Sequence, residues 1–393
     1  MKYIYLTPRI FIILIASFYL IINTILYIMR TISSDWWVGD YAVYADTSES
    51  VNTFAFLTFL VYFFVFFMLC FILYKKNRTK IIRQNTGLIF YFAIMLFIFQ
   101  IFSAVYFDAG KASSTGVTSN FIFYLLFIFS FDAFYYVYAV IERNKIKLLV
   151  VTTLFIVSNV VRGWAGFVIP LFLIYLIRKG RFKISSLLIM SFAAVLLVPA
   201  LLTLRAYYRG GTGLDMSNIS GDGNFNIAEY IIFSFKLLIS RFDLYSHYIG
   251  VSWIRDSKSL ASLCMPFQES IFYKPIQSIF YDNKCISLGS YLPSFLYDFF
   301  IGKGTSFSIG SSFFALPFDF MIIYSLSYLF TILLTFWVSR WFIRSDEMTI
   351  ILLFLVSFLL FQGWMYQFVY NFLGFLICGF CFMITIKYPK RLI

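Results

Sequence analysis

The residues in this chain best suited to chemistry are arginines, and they fall in three short clusters. Arg162 lies in Ser158-Asn159-Val160-Val161-Arg162-Gly163-Trp164, between two brief apolar stretches, 148–161 and 164–177. Arg205 and Arg209 enclose Tyr207 and Tyr208 and are followed by Gly210-Gly211. The third cluster, Ser240 to His247, holds Arg241, Asp243 and the only histidine of the chain, His247. A guanidinium cannot be neutralised and offers five donors in a planar fork that matches phosphate oxygens. Near a bilayer such a charge is expensive, which marks it for function. On a helix, Arg205 and Arg209 would share a face able to hold a diphosphate while the tyrosines stack on sugar rings. Asp243 and His247, also at i and i+4, would set an imidazole beside an orienting carboxylate, as a general base requires. Each cluster also has a plainer reading: a snorkelling loop arginine, a Tyr/Arg interface anchor, and a structural His–Asp pair.

Other features carry less. Gly302-Lys303-Gly304-Thr305-Ser306-Phe307-Ser308-Ile309-Gly310 resembles a polar lip leading back into an apolar run. Asp132 and Asp319 are carboxylates within or at the edge of apolar runs, where proton coupling in a transporter is one use. No Walker-type phosphate loop, GxGxxG or HExxH is present, and one histidine cannot build a multi-histidine metal site. No metal and no cofactor is therefore expected, and an ATP-driven pump is disfavoured. Cys70, Cys378 and Cys381 fall in apolar runs and read as packing residues, while Cys264 and Cys285 could form a bridge if they face an oxidising compartment.

The elements that must position these residues follow from composition. The chain has 393 residues, 61% of them hydrophobic and 12% charged. A soluble domain carries about 25% charge. Apolar runs of about 20 residues recur along the length, the pattern of repeated bilayer crossing. The spans are expected at 10–29, 51–74, 86–107, 120–141, 148–161, 164–177, 185–204, 313–338, 348–361 and 367–386. The expected architecture is thus all-α and polytopic, with about 10 (10–12) transmembrane helices and one large loop. Residues 1–204 form an N-terminal bundle, 205–312 the loop with short or amphipathic helices such as Ile227–Ile239, and 313–393 the C-terminal helices.

Charge orients this arrangement. The connections holding Lys75 to Arg83, Arg143 to Lys147, Arg178 to Lys183, Arg340 and Arg344, with the two termini, carry 19 basic and three acidic residues. The rest of the chain carries 12 basic and 15 acidic. By the positive-inside rule both termini are cytoplasmic and the long loop is outside. The net charge of +13 is then a topology signal, and no nucleic-acid partner is expected. The other outside connection, Thr31 to Ser50, carries Trp36 and Trp37, which are candidate sugar platforms.

The order of these features resembles the bacterial O-antigen polymerases of the Wzy type, and more distantly the O-antigen ligases. Ser158…Arg162-Gly163 is similar to the Ser/Arg/Gly turn that ends a span in those proteins. Ser240-Arg241-Phe242 resembles an Arg-Phe stretch of their long loop, and Gly304-Thr305-Ser306-Phe307 the polar segment before a late span. The ligases' Thr-Gly-Ser-Arg motif is absent. The resemblance implies a GT-C-like, metal-independent glycosyltransferase in the bacterial inner membrane. Its substrate would be an oligosaccharide on undecaprenyl diphosphate, and a chain-length regulator would be a partner, with membrane lipids around it. Arg162, Arg205, Arg209 and Arg241 would bind the diphosphate, with His247, Asp243 or Asp215 as base and Tyr207, Tyr208, Trp36 and Trp37 binding sugar. A lipid-linked oligosaccharide flippase and an O-antigen ligase are the rival expectations.

Overall fold

The computed structural model describes residues 3–32, 35–38, 41–44, 49–74, 81–107, 130–183, 242–254 and 312–383, with single positions at 185, 186, 189 and 239. These residues are mostly helical. The helices are α1 (Pro8–Ile32), α2 (Glu49–Leu73), α3 (Leu88–Phe107), α4 (Phe131–Ile141), α5 (Lys145–Val161) and α6 (Val168–Lys179). After them come α7 (Ser246–Ile254), α8 (Phe318–Phe342), α9 (Asp346–Leu355) and α10 (Met365–Met383).

Four of these, α1, α2, α3 and α8, are long and apolar enough to cross a membrane. Their exposed faces are apolar: Ile13, Ile21 and Ile28 on α1, Val61, Phe64 and Met68 on α2, Met95, Ile98 and Phe102 on α3, Leu326 and Phe330 on α8. Their buried faces mix aromatic and aliphatic residues with a minority of polar groups, among them Asn23, Asn52, Gln100, Ser103, Thr335 and Ser339. So extensive an apolar outer surface suits a hydrocarbon solvent and would make a soluble protein aggregate. The four helices indicate a membrane-embedded protein.

Expected and described boundaries differ in instructive places. The apolar run 120–141 reads as one span, yet α4 starts only at Phe131, where the Ser130 hydroxyl accepts from the Ala133 N–H at 3.2 Å. Residues 121–129 lie outside the described residues, as do most of 205–312, Cys264 and Cys285, and 384–393. Two small antiparallel ladders also depart from the all-α expectation. β1 (Ile4–Tyr5) pairs with β4 (Arg181–Phe182), and β2 (Asp35–Val38) with β3 (Tyr41–Tyr44).

Two helical hairpins share one plan. The first begins at Asn144, whose side chain accepts from the Ile146 N–H at 2.9 Å and the Lys147 N–H at 3.3 Å. The second begins at Ser345, whose hydroxyl accepts from the Met348 N–H at 3.2 Å. Both rising helices end on a Gly-Trp pair. Gly163 (φ 72°) donates to the Val160 carbonyl and Trp164 to that of Asn159, each at 2.9 Å; Gly363 (φ 84°) donates to Leu360 and Trp364 to Leu359, also each at 2.9 Å. This is the Schellman arrangement, whose left-handed position favours glycine. α9 differs in widening into a π-helical turn over Val356–Leu360. There the Ser357 carbonyl accepts from the Tyr19 hydroxyl at 3.1 Å, and the Phe361 carbonyl from Tyr62 at 2.9 Å.

At the opposite end a polar knot joins the residues just before α3, the end of α4, the start of α5 and the end of α6. The buried Glu142 carboxylate accepts from the Thr86 hydroxyl, from the Tyr138 hydroxyl at 3.2 Å and from the Asn144 N–H at 2.6 Å. Arg178 donates to the Glu142 carbonyl at 2.8 Å and to that of Ala139, closing the end of α4. Burial opposes ionisation of Glu142, but the hydrogen bonds from Thr86, Asn144 and Tyr138 outweigh it and hold the carboxyl below its ordinary range. A depressed folded value stabilises above the unfolded carboxyl value of about 4.3, and the gain is lost as pH falls through the folded value. Glu142→Gln should therefore lower the melting temperature of the detergent-solubilised protein at neutral pH, at a cost of about 1–3 kcal/mol. The gap from wild type should close on acidification.

Candidate functional site

The Arg162 cluster is assembled by α3, α4 and α5. Packing sets its register: Phe97 on α3 meets the Phe155 ring at 6.1 Å, and Tyr135 on α4 stacks on Phe155 at 4.0 Å. One turn further along, the Ser158 hydroxyl donates to Gln100 Oε1 at 2.7 Å. The next turn ends α5, with Arg162 at its C-cap. There the guanidinium is 8% exposed. Its Nη2 donates to Asp132 Oδ1 at 2.9 Å and to Asn159 Oδ1 at 3.0 Å, and its Nε to the Ser158 carbonyl at 3.3 Å. Asn159 in turn donates to the Phe155 carbonyl at 2.9 Å and lies 3.5 Å from Asp132 Oδ1.

Helix ends favour both charges. Arg162 sits at a helix C-terminus, the negative end of its dipole, and Asp132 in the first turn of α4, the positive end of another. At 1.5 Å per residue α5 rises about 26 Å and α4 about 17 Å. The side chain of Arg162 therefore reaches back along α5 to a partner seated below the hairpin turn.

The pair is incompletely satisfied. Among the described residues Arg162 Nη1 and Asp132 Oδ2 have no partner, and the Asp132 side chain is 22% exposed. On α3, one turn past Gln100, the Ser103 hydroxyl is buried and also lacks a partner among the described residues. The 97–155 and 100–158 register sets Ser103 at the level of Arg162. The Ser103 hydroxyl and the Arg162 guanidinium thus lie at a similar level along α3 and α5.

Asp243 and His247 occupy a different cluster, built on α1, α2 and α7. Asn23 on α1 donates to the Phe242 carbonyl at 2.9 Å and accepts from the Leu244 N–H at 2.8 Å, seating this segment on the bundle. Asp243 Oδ2 pairs with Arg30, and its Oδ1 accepts from the Ser246 N–H at 3.3 Å. Arg30 also lies over the Tyr245 ring at 5.0 Å. The expected shared helix face does not form, because α7 starts at Ser246 and Asp243 precedes it as a capping acceptor. His247 is 1% exposed. Burial pushes its imidazole down to about 4, more strongly than Asp243 raises it, so the ring is neutral at pH 7.

The remaining expected residues are placed only in part. Trp36 and Trp37 fall on β2, where their backbones pair with Val43 and Ala42. Arg205, Tyr207, Tyr208, Arg209, Asp215 and Arg241 lie outside the described residues, as does the 302–310 lip. Asp319 is exposed in the first turn of α8. Cys70 and Cys378 are buried free thiols and Cys381 is an exposed one. Sequence reasoning missed Arg30 and Asn23, though a basic residue ahead of the acidic 35–49 connection was a visible signal. It noted Asp132 without its partner. Compared with protein-family models, with curated proteins and with solved structures, the chain matches none.

The Arg30–Asp243 pair makes a separable prediction. Asp243→Ala should destabilise by about 3–5 kcal/mol, because it strands a buried guanidinium. The double variant Arg30→Met with Asp243→Leu should recover most of that loss. A thermal unfolding series on the wild type, both singles and the double checks it.

Proposed function

We propose that this chain is a polysaccharide repeat-unit polymerase of the O-antigen type, a membrane glycosyltransferase that joins oligosaccharides carried on polyprenyl diphosphate. What supports the reading is Arg162: a buried guanidinium fixed by Asp132 and Asn159, whose Nη1 has no partner among the described residues. A donor of this kind leaves as a diphosphate, and without a metal its charge must be met by fixed cations. Ser103 adds a hydroxyl donor at the same level. In this reading the chain crosses the inner membrane about ten times with both termini in the cytoplasm. The outer ends of α3 and α5 then face the compartment where the glycan is extended. Arg205, Arg209 and Arg241 supply further cations to the diphosphate, Trp36, Trp37, Tyr207 and Tyr208 line the sugar path, and a chain-length regulator acts beside it.

The same buried pair supports a flippase as a second reading, since intramembrane Asp–Arg pairs also serve transporters. The products separate the two. Complementation of a strain lacking this chain, with the glycan read as a ladder on a gel, is the test. Under the polymerase reading, Arg162→Ala collapses the ladder to single capped repeat units. Arg162→Lys recovers little of it, since an ammonium lacks the planar fork. Under the flippase reading no capped unit remains at all. A full ladder from normally expressed Arg162→Ala would sink the assignment of the site.

A further inference from the structure

We infer that Asp132 is the catalytic base of this site, a deduction that rests on the polymerase reading. Sequence reasoning offered Asp243, His247 and Asp215 for that task. Asp243 has both oxygens engaged, by Arg30 and by the Ser246 N–H. His247 is enclosed at 1% exposure. Both belong to the α1–α2–α7 cluster rather than to the elements that hold Arg162. Asp132 differs on each count. It shares the guanidinium that would take the diphosphate, it is 22% exposed, and its Oδ2 has no partner among the described residues.

The geometry suits a single displacement. A guanidinium presents Nη1 and Nη2 on neighbouring edges, so one group can hold a leaving diphosphate on Nη1 while Nη2 keeps the carboxylate in place. The donor's anomeric carbon and the acceptor hydroxyl then lie between the two anions. In the step, the acceptor oxygen forms a bond to the anomeric carbon as its proton passes to Asp132 Oδ2. The bond from that carbon to the diphosphate oxygen breaks, and its electron pair leaves on the diphosphate, whose charge Arg162 and Ser103 meet. The base later returns its proton to water. Asn159, bonded to Arg162 at 3.0 Å and 3.5 Å from Asp132, is a positioning residue that keeps the two charges in register.

The test uses membrane vesicles from cells that make the lipid-linked repeat unit and carry only a variant of this chain. Asp132→Asn, which keeps the shape but cannot accept a proton, should slow ladder growth by about 10²–10⁴-fold, the usual contribution of a general base. Asp132→Glu should retain more activity than the amide. Asp132→Ala should be accelerated by added formate, because an exogenous carboxylate can occupy the vacated space. Rescue by a series of small carboxylates should rise with the basicity of the carboxylate, as proton transfer requires. A role confined to holding Arg162 in place would be restored equally by each carboxylate that fits. Ladder growth at the wild-type rate in Asp132→Asn, or a loss in Asp132→Ala that formate leaves untouched, overturns the assignment. If Arg162→Ala abolishes the ladder while Asp132→Asn does not, only the base is wrong. If Arg162→Ala also keeps the ladder, the assignment of the site fails with it, and if cells without the chain still build a ladder, the polymerase reading itself fails.

Discussion

A guanidinium enclosed among apolar helices is the constraint around which the described structure is arranged. Taking such a charge out of water costs several kcal/mol unless an opposite charge and good hydrogen bonds surround it. Arg162 has Asp132, Asn159 and the Ser158 carbonyl, and it stands where the end of one helix meets the start of another. For that meeting α5 must stop at Val161, which Gly163 permits by turning left-handed, and α4 must begin at Phe131, which Ser130 secures by capping. The Phe97–Phe155–Tyr135 stack then fixes the three helices in register. Ser130 also donates to Asn371 at 2.8 Å, which carries the same constraint into α10. Ala is barred at Gly374 for a related reason: an added methyl would lie 2.4 Å from the Ser130 Cβ.

Much of this was legible in local sequence, and the rest was not for a definable reason. The Arg162-Gly163-Trp164 turn is visible locally, as a charge followed by glycine between two short apolar runs. The long apolar helices α1, α2, α3 and α8 follow from hydropathy alone. The partners of the charges do not. Asp132 is thirty residues from Arg162, and Asp243 is 213 residues from Arg30. Nothing in the composition of 120–141 reveals that a helix starts inside it, because a serine cap within an apolar run costs the hydropathy profile almost nothing. The Asp243–His247 spacing misled in the opposite sense. It assumed a helix through both residues, and the helix begins after the first.

The paired hairpins show how one backbone plan serves two purposes. Where the first carries Arg162, the second carries Gln362 immediately before its Gly-Trp cap. Gln362 donates to the Tyr19 hydroxyl at 2.7 Å, and Tyr19 closes the π-helical turn through Ser357. Rings of Tyr62, Phe66 and Phe67 crowd Phe361 beside it. The neutral tip is thus tied inward and packed, while the charged tip has a donor without a partner among the described residues. Equal scaffolds with unequal side chains leave one turn charged and the other neutral and tied down.

The order of the ion pair along the chain bears on how such a protein is made. Asp132 is synthesised first and belongs to the helix immediately before α5, so the carboxylate is already in the chain when the guanidinium is added. A cation enclosed with its partner at hand avoids the cost of being buried alone. Chain order itself therefore favours pairing over a stage in which the charge stands unmatched.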